Sequence, residues 1–189
     1  ARFILEAADV DGDGIIDVND VQGIIDRALG KFGASAVDLG LPSGTLWASC
    51  NVGATKPEEF GDYYAWGETE PKESYELSNY SHCEGDNETC RSLDGNICGT
   101  QYDVAHVKWG GDWRMPTLDE IIELVDNCII AVVELNSVQV MKFTGTNGNS
   151  IYLPFTGYVD GKERKSIGRD SGYYWSGVNP YTNQAAPCL

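Results

Sequence analysis

Five aspartates, Asp9, Asp11, Asp13, Asp17 and Asp20, fall at positions 1, 3, 5, 9 and 12 of a twelve-residue stretch whose sixth position is Gly14. No other feature constrains the folding of this chain so tightly. Carboxylates about 4 Å apart repel by roughly 1 to 4 kcal/mol per pair, depending on the effective dielectric, so the stretch orders only around a cation. The spacing is that of an EF-hand loop, in which alternate carboxylates converge on one ion, the glycine permits a sharp bend, and the carbonyl at position 7 is a ligand. An all-oxygen donor set selects calcium over zinc or copper. The expected metal ligands are therefore Asp9, Asp11, Asp13, Ile15, Asp17 and Asp20, and the expected cofactor is Ca2+. Asp20 stands where a bidentate glutamate is usual, so its shorter arm implies a single-oxygen contact or a shifted helix.

After the loop, Val21, Ile24, Ile25, Ala28 and Leu29 recur at helical spacing until Gly30 stops the pattern. Loop and exiting helix together, Asp9 to Gly30, resemble the calcium-binding repeat of dockerin type I domains. Such a domain carries two repeats and docks onto a cohesin or a neighbouring module. This chain shows one repeat, preceded by Arg2-Phe3-Ile4-Leu5-Glu6, which reads as the tail of an earlier helix. The resemblance implies a calcium-stabilised spacer and, as an alternative role, assembly into a polysaccharide-degrading system through a cohesin-like or sister module.

Beyond the small-residue bridge Phe32-Gly33-Ala34-Ser35-Ala36, helical spacing gives way to strand-like runs, which divides the chain into residues 1–36 and 37–189. Thirteen Lys and Arg against 29 Asp and Glu leave a net charge of −16. That charge repels nucleic acid and anionic membranes. The apolar stretches, such as Cys128 to Val133, are far short of the roughly 20 residues needed to span a bilayer, so neither nucleic-acid binding nor membrane insertion is expected. The chain opens on Ala1 without a basic and apolar leader pattern and reads as a cropped or processed piece. Its cysteines, Cys50, Cys83, Cys90, Cys98, Cys128 and Cys188, form an even set with no C-x-x-C pair, which favours an oxidising, exported or cell-surface setting. Six cysteines leave 15 pairings open; the cluster Cys83, Cys90, Cys98 is placed to clip its own loop.

In the larger part, 45–52, 62–67, 138–144, 150–154 and 173–176 read as strands rich in aromatic and β-branched residues. Asn147-Gly148 tolerates positive φ at both centres of a tight turn, which predicts a hairpin over 138–158. Thr117 and Glu120 form a capping-box signature, and Leu118, Ile121, Ile122, Val125 and Ile129 follow on one helical face expected to pack on the sheet. The stretch from Ser74 to Val104 is polar and reads as a long irregular insertion. A few strands with one strong helix and no repeating βαβ units predict an α+β domain.

The order VDLGLPSGTLWASCNVGA, FGDYYAWGET, WGGDWRMPTLDEIIELVDNC, NGNSIYLPFTGY, SGYYWSG resembles the Fibrobacter succinogenes major paralogous domain over residues 37–189. That family, abundant in surface and secreted proteins of Bacteroidetes, implies a C-type-lectin-like mixed fold. Trp113-Arg114-Met115-Pro116-Thr117 is also similar to formylglycine-generating enzyme relatives, which share the architecture. Family members continue through closing strands where this chain stops at Pro187-Cys188-Leu189, so the resemblance implies either a truncated closing edge or a different closure.

No catalytic set is visible. His82 and His106 have no nucleophile or ligand partner at motif spacing, and no G-x-S-x-G, H-E-x-x-H or glycine-rich phosphate loop occurs. Asp119-Glu120 suits a helix N-terminus better than a glycosidase pair. The Glu-Pro-Asn, Gln-Pro-Asp and Trp-Asn-Asp triplets of calcium-dependent lectins are absent, so a calcium-bridged sugar site is not implied. What remains is a supply of rings and amides suited to carbohydrate or protein recognition. Trp66, Trp113 and Trp175 are expected in the core; Tyr174, Asn179, Tyr181 and Asn183 are the expected exposed ligand contacts. The reading is thus a non-catalytic exported binding module, with an enzyme akin to formylglycine-generating proteins as the remaining alternative.

Overall fold

The computed structural model describes residues 34–84, 89–90, 93, 95–165 and 171–179. The expected calcium loop and the helix expected after it lie outside these residues. Within them, two α-helices and short antiparallel strand pairs make a mixed α+β fold. Strands β1 (Ala36–Asp38) and β2 (Leu46–Ala48) form a ribbon. Strands β3 (Cys83–Glu84) and β4 (Thr89–Cys90) pair within the excursion, with Cys83 opposite Cys90 in the backbone register. Helices α1 (Val104–Trp109) and α2 (Leu118–Asn127) follow. Strands β5 (Ile129–Leu135), β6 (Val138–Thr144) and β7 (Ser150–Pro154) make a sheet in that order, and β8 (Tyr158–Asp160) pairs with β9 (Glu163–Lys165).

Helix α2 begins as its sequence predicts: Glu120 N donates to Thr117 Oγ1 at 3.2 Å, and Thr117 N donates to Glu120 Oε2 at 2.8 Å. Its buried face differs from the expected one. Ile121 and Leu124 are buried, whereas Ile122 and Val125 are 49% and 39% exposed. Ile129 has left the helix altogether. Cys128 turns extended, and the β-branched run that follows, Ile129-Ile130-Ala131-Val132-Val133, continues as β5, a strand the helical pattern had hidden.

The limits of β6 and β7 match the expected strands, but the turn chemistry moves. Asn136 (φ 48°) and Ser137 (φ 66°) are the left-handed pair, and they make the two-residue turn between β5 and β6. The loop containing Asn147 and Gly148 spans 145–149, with positive φ at Gly148. Asn147 Nδ2 and Asn149 Nδ2 instead donate to the Asp38 carbonyl at 2.8 and 2.9 Å, which pins the loop to the end of β1. Gly145 permits the approach: a Cβ there would stand 1.9 Å from the Leu39 oxygen.

Two expected strands, 62–67 and 173–176, are not strands. The carbonyls of Tyr64 and Trp66 accept from Trp175 Nε1 (2.9 Å) and Tyr80 Oη (2.8 Å), and that of Tyr63 accepts from Tyr75 Oη. Aromatic donors therefore satisfy this backbone where a ladder would otherwise have to. Residues 171–179 run extended with isolated bridges, Gly157 to Gly172 and Asn96 to Val178. The expected strand over 45–52 shortens to β2. The irregular excursion from Ser74 is anchored at its root by the buried Glu68, which accepts from Lys72 Nζ at 2.7 Å and from Ser81 N at 2.7 Å.

The apolar interior is divided. Leu39, Leu41, Leu124, Phe143 and Ile151 pack α2 and the β1 end onto the sheet. Trp66, Ile97, Val104, Ala105 and Met115 form a second cluster around α1. None of the described helices is long and apolar enough to cross a membrane.

Candidate functional site

A cleft of about 840 Å³ takes its floor from both clusters, with Met115, Val104 and Ala105 from one and Ile151 and Leu153 from the other. Four elements wall it: β2, the segment 109–116, the middle of β7, and Tyr173-Tyr174-Trp175. The ribbon bearing β2 is held against α2 by Glu123, which accepts from Ser43 N at 2.8 Å and Ser43 Oγ at 2.5 Å, and by Glu120, which accepts from Thr45 Oγ1 at 3.3 Å. One wall is thus fixed to the helix that covers the sheet.

The 109–116 wall depends on Asp103. This carboxylate is fully buried and accepts three backbone N–H groups: His106 at 3.1 Å as the cap of α1, Gly99 at 2.8 Å, and Met115 at 2.8 Å. It joins the excursion, α1 and the cleft floor at one side chain. Between α1 and Met115, Gly110 and Gly111 both take positive φ, 73° and 55°, and carry the chain around so that Trp109 and Trp113 meet edge to face at 5.2 Å. Glycine is needed at Gly110, whose φ of 73° and ψ of −166° fall in a region essentially closed to residues with a Cβ.

Polar groups line the rim. Arg114 Nη1 and Nη2 donate to Glu120 Oε2 and Oε1 at 2.8 and 2.5 Å. Arg114 holds the Glu120 carboxyl down to about 2, working against its partial burial. Asp62 and Asp112 are exposed and line the cleft; Asp62 Oδ2 accepts from Tyr64 Oη at 3.2 Å. Burial first, then the nearby Asp62 charge, pushes the Tyr64 phenol upward, so it remains a neutral donor. On the wall, Trp47 Nε1 is buried without a hydrogen-bond partner among the described residues.

The nominated contacts fall in different places. Tyr174 lines the cleft with its ring, while its hydroxyl donates to the Pro154 carbonyl at 2.6 Å and holds the chain after β7. Asn179 does not stand at the surface as expected: it is 9% exposed, and its backbone N–H donates to Gly95 O at 2.7 Å. Tyr181, Asn183 and the expected metal ligands Asp9, Asp11, Asp13, Ile15, Asp17 and Asp20 lie outside the described residues, as does Cys188. Among the expected core tryptophans, Trp66 is buried and donates to Ser176 O at 2.8 Å; Trp113 and Trp175 are half-buried and line the cleft.

The site residues that sequence reasoning passed over are Trp47, Trp109, Asp62 and Asp112. A signal did exist in Trp109-Gly110-Gly111-Asp112-Trp113, where two indoles and an acid flank a glycine pair. The histidines are occupied within the fold: a ring nitrogen of His82 lies 3.1 Å from Gly67 O, and one of His106 lies 3.2 Å from Trp113 O. Cys50, Cys98 and Cys128 are free thiols, so Cys98 does not take part in the expected clip; Cys50 packs with Ala34 and Ala54, Cys128 packs against the Leu124 cluster, and burial pushes all three thiols up. Among the described residues, no group of three His, Cys, Asp or Glu side chains is placed to hold a metal. Comparison with protein-family models, with curated proteins and with solved structures finds no match for this chain.

Proposed function

We propose that the chain is a non-catalytic, exported binding module: a C-type-lectin-like domain that recognises a carbohydrate or protein ligand, joined to a calcium-stabilised dockerin-like segment. The observation that carries this reading is the aromatic-walled cleft, open at a polar rim and floored by both core clusters. Clefts with apolar walls and a few convergent polar groups are where small ligands and protruding segments bind. Half-buried rings such as Trp109, Trp113 and Tyr173 offer flat faces to a pyranose or a side chain at small entropic cost. Three observations favour binding over turnover: the histidines are occupied by backbone oxygens, the free thiols of Cys50 and Cys128 lie in separate apolar clusters, and Glu120 is committed to its cap and to Arg114.

A glycan and protein array probed with the whole chain tests the recognition role. We expect one ligand class to bind both in calcium and after chelation, and Trp113→Ala to weaken that binding at least about tenfold while the melting temperature shifts by only a few degrees. A blank array, or undiminished binding by Trp113→Ala, would sink the reading. The calcium segment is tested separately. Calorimetric titration with Ca2+ is expected to show saturable binding that Asp11→Ala with Asp13→Ala abolishes, because two of the converging carboxylates are then gone. A heat-silent titration with an unchanged circular dichroism spectrum would remove the ion from the account.

A further inference from the structure

The cleft has a charge as well as a shape. Its lining contains three acids, Asp62, Asp112 and Glu120, against one base, Arg114, and that base is engaged by Glu120 through two hydrogen bonds. Asp62 and Asp112 are left without a cationic partner among the lining residues. Two further cations stand nearby without lining the cleft: Lys142, 5.9 Å from the Tyr152 ring centroid, and Arg164, 4.7 Å from that of Phe60. Each stacks on a ring that does line it, which shows that these rings present faces a cation occupies. Trp109 and Trp113 lie beside Asp112 in the chain and have no such cation among the described residues. The electron-rich ring faces and the two carboxylates without a cationic partner among the lining residues make the lining itself net negative, with Lys142 and Arg164 beside Tyr152 and Phe60 offsetting part of that charge.

Resting on the recognition role proposed above, we infer that the cleft selects a cationic ligand, and specifically a glycan bearing free amino sugars. The indole faces stack on the pyranose, and the ring ammonium lies against Asp62 or Asp112. Anionic glycans are repelled by the same negative lining. An N-acetylated sugar offers the same ring without the charge, so the difference between the two isolates the effect.

Tryptophan fluorescence titrations of the whole chain, in mildly acidic low-salt buffer, with β-1,4-linked tetramers of glucosamine, N-acetylglucosamine and glucose provide the test. The glucosamine tetramer is expected to bind at least about tenfold tighter than either of the others, with the gap narrowing as salt is added. Asp62→Asn with Asp112→Asn, both at exposed positions, is expected to reduce the gap to about twofold. Equal or tighter binding of the acetylated or neutral tetramer overturns the inference, as does a gap that survives in the double variant. Tetralysine binding as tightly as the glucosamine tetramer overturns the amino-sugar assignment. If neutral tetramers bind without charge preference, or if none binds while the array yields a protein ligand, recognition stands and this inference falls. If tetramers and array are all blank, both fall.

Discussion

Asp103→Ala is expected to lower the unfolding free energy by roughly 3 to 5 kcal/mol, because three backbone donors lose a charged acceptor at once. The side chain is fully buried, and its partners, His106, Gly99 and Met115, belong to three different segments. Alanine would leave these N–H groups facing a cavity beside Val104 and Met115, both buried in the α1 cluster. Asp103→Asn keeps one acceptor oxygen but turns an amide donor toward donors, so about half of the loss should remain. Urea unfolding followed by near-ultraviolet circular dichroism reads both variants, with the slope checked for a change in the unfolded state. A loss under about 1 kcal/mol for alanine would show that water or a local shift replaces the carboxylate. The cleft would feel the change too, since Met115 is part of its floor.

The second large effect is a loss of stability in acid that traces to Glu120. Its carboxyl sits at about 2 in the folded chain against an ordinary 4.5, chiefly because of the paired hydrogen bonds from Arg114. The folded value lies below the unfolded one, so the unfolded chain takes up the proton first. The stabilisation is therefore complete above about pH 4.5 and fades as the pH falls toward 2. We expect about 2 kcal/mol, after discounting for solvent at the Arg114 side chain, which is 38% exposed. The stability gap between the parent chain and Glu120→Gln should be near that value at neutral pH and close to zero near pH 2. A gap that stays constant with pH would assign the effect to capping geometry rather than to charge.

Both predictions concern groups whose local role is written in sequence and whose energetic weight is not. Thr117 and Glu120 are three residues apart, so the capping box was legible: the partners are fixed by helix geometry alone. That Arg114 would close a second, bidentate contact on Glu120 depended on the path of the chain before the helix. Asp103 was not singled out at all, because its acceptors' partners lie up to twelve residues away across a turn. The helix face shows the same divide. Periodicity placed Ile121 on the apolar face of α2 but passed over Leu124; that Leu124 is buried in the cluster of Phe143 while Ile122 and Val125 stay exposed was decided by the angle at which helix and sheet pack.

Local chemistry placed one turn but not its geometry: Asn147-Gly148 does join β6 to β7 in a hairpin, but in a five-residue loop with positive φ at Gly148, whereas Asn136-Ser137 takes the left-handed pair because the register of β5 on β6 leaves only two residues to connect them. Asn147 is drawn instead to the Asp38 carbonyl, a partner more than a hundred residues away that no window of sequence contains.

Taken alone, the amino-acid order determined what depends on near neighbours: the spacing of five aspartates near the start, the start of α2, the limits of β6 and β7, and a net negative charge. Only the tertiary structure decided what depends on distant segments meeting. It placed Trp47, Asp62, Trp113 and Tyr173 around one cleft, satisfied the carbonyls of Tyr63, Tyr64 and Trp66 with aromatic donors in place of a strand, and buried Asn179 where exposure was expected. The physical reason is the same in each case: helix caps and strand limits are set within a few residues, whereas a binding surface is set by which long-range contacts compete successfully for the same polar groups and the same apolar area.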